Sequence, residues 1–380
     1  MALAAAAGLS SFDQSAGEFL DLSNELAEII RRDNTALLSR LGISGVATET
    51  SHSWMEDQLN ANSVTLDESG FDSSETDMTV ATGHGARLKV GSLLKNVSEA
   101  GKTEVIQVTA ISTDTLTVVR GYGSTTGEAH TTGSTFQIIA NPAQENQDPP
   151  ADESRTRTKV TNYTQIFQRG INVSHTMRSV LQAGVADEYT FQIARRMMEI
   201  MRELDSSIIN GIKSADVGSD TSYRSMGGLV EFSSQVGGNT TTTTEALTPS
   251  VINAMVKQIW DDGGQPNFIL VPGKQKRVIS AFDQSMRRST LDTTVAGYVV
   301  DKFMSDLGFV LDVIVDPWMP DDTVIVGDLM KIRVMPLQGD AMRAEDLAKT
   351  GRGWKSQVTG QYTIEVRNAK EAFAYHNNLT

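Results

Sequence analysis

The feature that most constrains this 380-residue chain is a run of apolar residues at helical spacing near its centre. Val185, Tyr189, Ile193, Met197, Met201, Leu204, Ile208 and Ile212 follow one another by steps of four, four, four, four, three, four and four. Residues three and four apart share a helix face, so the run forms one stripe. It spans about 28 residues, roughly 40 Å at 1.5 Å per residue, whereas a mean globular helix has about 11–12 residues. Such a helix, within residues 181–213, is expected to be a spine on which other elements pack. Arg195, Arg196, Arg202, Glu199 and Glu203 supply its outer face, and Met197, Met198 and Met201 read as core filler rather than a promiscuous groove.

Upstream, Leu22–Leu41 predicts an amphipathic helix stopped by Gly42, preceded by an Ala/Ser/Gly-rich arm. Thr48–Ser63 is polar with isolated large residues such as Trp54, and Asp67–Asp77 reads as an acidic, solvated loop. Met78–Ala140 changes texture: Glu104–Ile111, Thr115–Arg120 and Thr135–Ile139 are β-type runs separated by turn residues, the pattern of a small all-β module. Asp67–Pro150 holds 11 acidic and five basic residues, yet Met78–Ala140 holds four acidic against the same five basic, so the acidity lies in the flanks. Asn141–Glu153 has three prolines and reads as a linker, which makes the module an insert. Thr156–Ser174 resumes alternation as an extended, exposed ribbon.

Past the spine comes a Met226-Gly227-Gly228-Leu229 turn, then a Thr-rich tract, Gln235–Glu245, expected to be a mobile surface loop. Thr248-Pro249 caps a helix through Trp260, Asn267–Val271 is a buried strand, and Pro272–Phe282 is a helix with Lys274, Lys276 and Arg277 outside. Val295–Val300, Phe309–Val315, Thr323–Val326 and Ile332–Met335 read as strands. Val358–Val366 alternates so regularly that a half-buried strand is expected, with Val358, Gly360, Tyr362, Ile364 and Val366 on one face. The fold class is α+β.

Composition narrows the function. With 33 Lys plus Arg against 47 Asp plus Glu, the net charge is −14, and no dense basic run offsets it. Sequence-reading nucleic-acid binding is therefore not expected. With no cysteine there is no disulfide, thiolate or Cys-ligated zinc, which suits a reducing cytoplasm. Met1–Leu9 lacks a basic n-region and nothing approaches 18 consecutive apolar residues, so neither signal peptide nor membrane span is expected.

No catalytic, cofactor or metal site emerges. His52, His84, His130, His175 and His376 are scattered without i,i+4 or HExxH spacing. Gly101-Lys102-Thr103 lacks the first glycine of a phosphate loop, since Asn96 stands there, and leads into strand rather than helix. Gly121-Tyr122-Gly123 meets its next glycine at Gly127, one place late for a dinucleotide fingerprint. GxSxG elbows and DxDxDG loops are absent, and Glu56-Asp57, Asp261-Asp262 and Asp321-Asp322 sit in polar stretches, so no enzyme is expected. Trp54, with little apolar company, anchors either an interface or a distant core.

The order of arm, extended ribbon with β insert, spine helix, mixed domain and closing strand resembles the Hong Kong 97-like major capsid proteins of tailed bacteriophages. Particular phrases are similar to one family within that fold. They are Trp54 with Asp57-Gln58-Leu59, Asn162-Tyr163-Thr164-Gln165-Ile166-Phe167, Val173-Ser174-His175-Thr176, Met226-Gly227-Gly228-Leu229, Lys349-Thr350-Gly351, and Gln361-Tyr362-Thr363-Ile364-Glu365-Val366-Arg367-Asn368. The resemblance implies an N-terminal arm (1–45), an extended loop (46–77 outgoing, 141–180 returning) carrying the β insert (78–140), and a peripheral-domain spine (181–213). An axial domain with peripheral parts (214–345) and a C-terminal strand (346–380) complete it. It further implies a homo-oligomer of hexamers and pentamers in an icosahedral head around double-stranded DNA, bound without sequence recognition. Portal, decoration or scaffolding proteins are the implied partners; no cofactor and no membrane are implied, and assembly takes place in the host bacterial cytoplasm. Some members of the fold cross-link Lys to Asn beside a Glu, and no such trio aligns here. The alternative is another virion component: tail, baseplate or carbohydrate-binding decoration.

Overall fold

The computed structural model describes residues 35–145, 156–180, 185, 187–214, 223–235, 237–282, 302–349 and 351–380. The chain divides into two compact units, Met55–Thr158 on one side and Met1–Trp54 with Lys159–Thr380 on the other. It first takes up α1 (Ala36–Leu41), ended by Gly42 at φ +64°. Thr35 takes a non-helical backbone, so α1 is shorter than the helix expected from Leu22, whose residues 22–34 lie outside the described residues. Strand β1 (Ser51–Glu56) follows.

In the smaller unit, β2 (Ser63–Thr65), β3 (Asp77–Thr79), β4 (Leu93–Asn96), β5 (Val105–Ser112), β6 (Thr115–Val119) and β7 (Thr135–Ala140) form one sheet in the order β2, β7, β4, β5, β6, β3. Leu66 and Val80, just past β2 and β3, bridge antiparallel, and the Asp67 and Ala81 N–H groups bond to the Thr79 and Thr65 carbonyls. The two edge strands are thereby joined and the sheet closes into a barrel, which removes exposed edges. The sheet draws in Ser63–Thr65, ahead of the expected boundary at Met78.

The acidic stretch 67–77 is largely exposed, as its charge implied, but one apolar residue pins it to the barrel. Phe71 sits in the barrel core with Val64, Met78, Leu94, Ile106, Leu116 and Phe136, and is 0% exposed. The carboxylates around it are used locally: Asp72 Oδ1 accepts the Ser74 and Glu75 N–H groups at 2.7 and 2.9 Å, and Glu68 accepts the Thr79 N–H at 3.0 Å.

Beside Phe71 the barrel buries an ionic cluster. Glu104 accepts Arg120 Nε and Nη2, both at 2.8 Å, the Gly121 and Glu128 N–H groups at 2.9 and 2.8 Å, and His130 Nε2 at 3.0 Å. The Arg120 guanidinium also lies 4.2 Å over the Phe71 ring. Asn96 fixes the histidine tautomer. Its Oδ1 accepts the Ser98 and Glu99 N–H groups, so its amide nitrogen faces His130 Nδ1 at 3.0 Å and leaves Nε2–H to donate to Glu104. Burial would raise the Glu104 carboxyl, but the bonds from Arg120, Glu128, Gly121 and His130 outweigh it and hold the group below its ordinary 4.5.

The larger unit resumes with β8 (Thr158–Tyr163), which pairs with β1 as a two-stranded ribbon, then β9 (Gln165–Ser174) and α2 (His175–Ser179). The spine is α3 (Glu188–Asn210), within the expected span, with Asp187 capping its first turn by accepting the Tyr189 N–H. Then come α4 (Leu229–Ser233), β10 (Asn239–Thr241), α5 (Pro249–Asp261), β11 (Phe268–Val271), α6 (Gly273–Ala281), β12 (Lys302–Met304), β13 (Val310–Val315) and β14 (Val324–Gly327). The last elements are β15 (Ile332–Pro336), β16 (Arg343–Asp346), β17 (Gly353–Val366), α7 (Ala369–Ala372) and β18 (Phe373–His376). The strand expected at Val295–Val300 lies outside the described residues.

One sheet has the order β10, β18, β14, β11, β13, β12, with β11 parallel to β13 and antiparallel to β14. Its central strand reads Phe-Ile-Leu-Val because both faces are buried. Ile269 and Val271 join a core with Ile252, Val256 and Ile259 of α5, while Phe268 and Leu270 join another with Ile200, Leu204 and Ile208 of α3. The Thr-rich tract expected as a mobile loop contributes β10, which pairs parallel with β18 from Asn239–Ala374 to Thr241–His376. Threonine suits a strand, and one neighbouring edge was enough to order it.

The second sheet is built on β17. One of its edges pairs with β9 over ten residues, and the other with β16 and β15. The ribbon expected to be exposed is therefore half buried within its own chain, with Phe167, Ile171 and Val173 facing the α3 core. Removing one partner from the Glu104 cluster leaves a desolvated cation and orphaned N–H groups, so Glu104→Ala is expected to cost the barrel about 3–5 kcal/mol in chemical denaturation. A loss below about 1 kcal/mol contradicts the cluster's structural weight.

Candidate functional site

Four of the phrases singled out in sequence, those holding Trp54, Asn162, Gly227 and Gln361, meet at one buried place, the anchor of the β1–β8 ribbon. Asn162 on β8 is 0% exposed and has each polar atom engaged. Its Nδ2 donates to the Ile364 carbonyl on β17 at 2.8 Å and the Gly227 carbonyl at 3.1 Å, while Oδ1 accepts the Gly227 N–H at 2.8 Å and the Tyr163 N–H at 2.9 Å. One side chain thus fastens the ribbon, the long strand and the Met226-Gly227-Gly228-Leu229 turn together.

Neighbouring bonds repeat the linkage. Arg224 Nε donates to the Thr164 carbonyl at 2.7 Å, and Lys213 Nζ to the Thr161 carbonyl at 3.2 Å. The glycines in the turn are needed for close approach. The Gly228 N–H bonds the Gly211 carbonyl at 2.7 Å, and a Cβ on Gly228 would lie 2.5 Å from the Gly211 nitrogen and 2.7 Å from the Ile209 carbonyl oxygen.

The ribbon covers the second face of β17, so the strand read as half buried is buried on both faces along Gly360–Val366. Its polar side chains are matched one by one. Gln361 Nε2 donates to Thr164 Oγ1 at 2.5 Å, Thr363 Oγ1 to the Tyr163 carbonyl at 3.0 Å, and Glu365 bonds His52 Nε2 at 3.0 Å and Arg367. Burial would raise the Glu365 carboxyl, but His52 and Arg367 hold it below its ordinary value. Trp54 belongs to this core, 5.8 Å from the Phe232 ring and 6.0 Å from His52, which decides between its two readings in favour of a distant core.

A second set of phrases meets at the head of α3. Ser174 caps α2 by accepting the Met177 N–H at 3.1 Å. Trp354 on β17 is flanked by Lys349 Nζ at 3.5 Å and the Arg178 guanidinium at 4.7 Å, with the Tyr189 ring 6.2 Å away. An open cleft of about 740 Å³ adjoins it, lined by residues including Ser174, Met177, Glu188, Arg196, Arg352 and Lys355.

The remaining motifs stay apart and structural. His84 accepts the Thr65 N–H at 3.0 Å, and His376 bonds Glu245 at 2.9 Å. Lys102 donates to the Ala129 carbonyl at 2.5 Å and Thr103 Oγ1 to Glu128 at 3.1 Å, while Gly121 and Gly123 take positive φ as turn residues. Asp261 pairs with Lys257 at 2.5 Å, and Asp262 accepts Asn239 Nδ2 at 3.0 Å. Met197 and Met201 pack against the core, and Met198 is partly exposed. Asn162 was visible in sequence only within a phrase, because nothing local distinguishes a fully bonded asparagine from a surface one.

Asn162→Ala would leave the Gly227 N–H and two carbonyls buried without partners. It is expected to lower stability by at least about 3 kcal/mol in urea titration, and a cost under about 1 kcal/mol contradicts the anchor.

The fold has counterparts among known proteins. No curated protein matches the chain. In solved structures, the capsid of an empty GTA particle aligns at TM-score 0.53 and 11% identity, covering 98% of this chain and 100% of that one; the native GTA capsid gives the same figures. A chain from a structure of Microbacterium phage Oxtober96 aligns at TM-score 0.49 and 12% identity over 98% and 99% of the two chains. A family model described as SU10 major capsid protein matches residues 7–380. The chain therefore belongs to the SU10 major capsid protein family and carries the Hong Kong 97-like fold of tailed-phage capsids.

Proposed function

We propose that the chain self-assembles as hexamers and pentamers into the icosahedral head that encloses the double-stranded DNA of a tailed phage. The reading rests on one observation. In a chain whose family match runs from residue 7 to 380, the family's phrases build a buried, hydrogen-bonded anchor for a ribbon that interrupts itself to carry a separate barrel. The work is mechanical rather than catalytic, since the buried polar groups of the anchor are consumed by one another. Residues 1–45 serve as arm, the stretches on either side of the barrel as the two limbs of the extended loop, and the barrel, which begins with Ser63–Thr65, as its insert. Residues 181–213 are the peripheral spine, 214–345 the axial domain with peripheral parts, and 346–380 the closing strand.

Assembly needs surface that one copy leaves uncovered. Large apolar side chains stand out on several elements of the larger unit: Ile166 on β9 at 56% exposure, Met304 on β12 at 73% and Met330 at 80%. Burying such groups between copies supplies association energy at about 25 cal/mol per Å². Acidic charge on the inner surface, from a chain of net charge −14, would keep packaged DNA from adhering to the shell. Assembly takes place in the host bacterial cytoplasm, with portal, decoration or scaffolding proteins as further partners.

Native mass spectrometry of the purified chain is expected to give species of five and six copies and larger multiples. A chain that stays monomeric at tens of micromolar contradicts the proposal, and discrete trimers point to the tail or baseplate alternative.

A further inference from the structure

Two carboxyl groups are buried beside α1, away from the ribbon anchor. Asp205 on α3 and Asp316, just past β13, are each 0% exposed. They hold the same stretch of backbone from two sides: Asp205 Oδ1 accepts the Leu38 N–H at 2.9 Å, and Asp316 Oδ2 accepts the Leu37 N–H at 3.3 Å. Asp316 Oδ1 also takes the Trp318 N–H at 2.9 Å, and Asn210 of α3 donates to the Trp318 carbonyl at 2.6 Å, so the loop after β13 is tied to α3.

Asp205 Oδ2 is left with no donor among the described residues, in interaction with the Asp316 carboxyl. Two ionised carboxylates in one buried place repel strongly, and neither can donate to the other. One shared proton removes both difficulties, because it replaces the repulsion with a hydrogen bond between the pair. Burial, followed by the negative charge of Asp316, pushes the Asp205 carboxyl up to about 8.

Most charged groups of the packed elements pair elsewhere or lie exposed. Arg40 on α1 and Lys302 on β12 both pair with Asp312 on β13, at 3.6 and 3.5 Å. Glu203 on α3 pairs with Arg169 on β9 at 2.7 Å, Arg202 is half-buried, and Lys331 and Arg333 at β15 are exposed. The charge that acts on Asp205 is that of Asp316.

We propose that the Asp205–Asp316 pair is a proton-dependent latch that fastens α1 onto α3 and the loop after β13. The sign follows from the two states. When α1 lifts away, Asp205 meets water and returns to its ordinary 3.8, so opening releases the shared proton. The latch is at full strength below about pH 4, weakens as pH rises, and reaches its floor above about pH 8. This goes beyond the capsid reading and does not depend on it.

Hydrogen exchange on the full chain between about pH 5 and 9 tests it, following residues 35–42 with the α5 core as internal reference. After correction for intrinsic exchange, protection at 35–42 is expected to fall by up to about tenfold per pH unit to about pH 8, then level off. Asp205→Asn, whose amide donates to Asp316 at every pH, is expected to give a flat profile. Asp205→Ser, whose hydroxyl can donate to Asp316 and does not titrate in this range, is expected to flatten it too, and carries the test if the first variant does not fold. A flat native profile overturns the latch, as does a fall of equal size in the variants or in α5.

Discussion

The four hydrogen bonds of Asn162 are the constraint on which the larger unit depends. An extended two-stranded ribbon has no core of its own and cannot repay the entropy of ordering its backbone. Asn162 solves this by tying β8 to β17 and to the glycine turn at 227–228, after which Thr164, Tyr163 and His52 match the polar side chains of β17 in register. A polar strand face thereby becomes interior. The arrangement tolerates little change, because a buried network is stable only while every member is satisfied.

The inserted barrel solves the same problem with charge. Glu104 receives five donors, Arg120 covers Phe71, and Asn96 fixes the tautomer of His130, so no polar atom of the cluster has to be left to water. Sheet closure through Leu66 and Val80 removes the edges that would otherwise template unwanted pairing. In a protein made to meet copies of itself, a closed module confines association to chosen surfaces.

Much of the fold was legible in sequence. The 4,4,4,4,3,4,4 spacing located α3, Thr248-Pro249 located the start of α5, and the apolar run at 268–271 located a strand buried on both faces. The misreadings share a cause, which is that the partner is distant in sequence. Phe71 looked solvated because its core lies across the barrel. The Thr-rich tract looked mobile because β18 is more than a hundred residues away. Thr359, Gln361, Thr363 and Glu365 of β17 looked solvent-facing because the ribbon that covers most of that face comes from residues 51–54 and 159–164. Asp205 and Asp316 were invisible for the same reason: one reads as a polar position on a helix, the other as half of an Asp-Pro turn.

The central claim is that this anchored ribbon and spine form the repeating subunit of a closed shell. Cryo-electron microscopy of the purified, assembled chain tests that most directly. The account predicts closed particles with five-fold vertices and six-fold capsomers, the ribbon anchored at Asn162 in every copy. Tubes, isolated rings or unassembled monomers would contradict it.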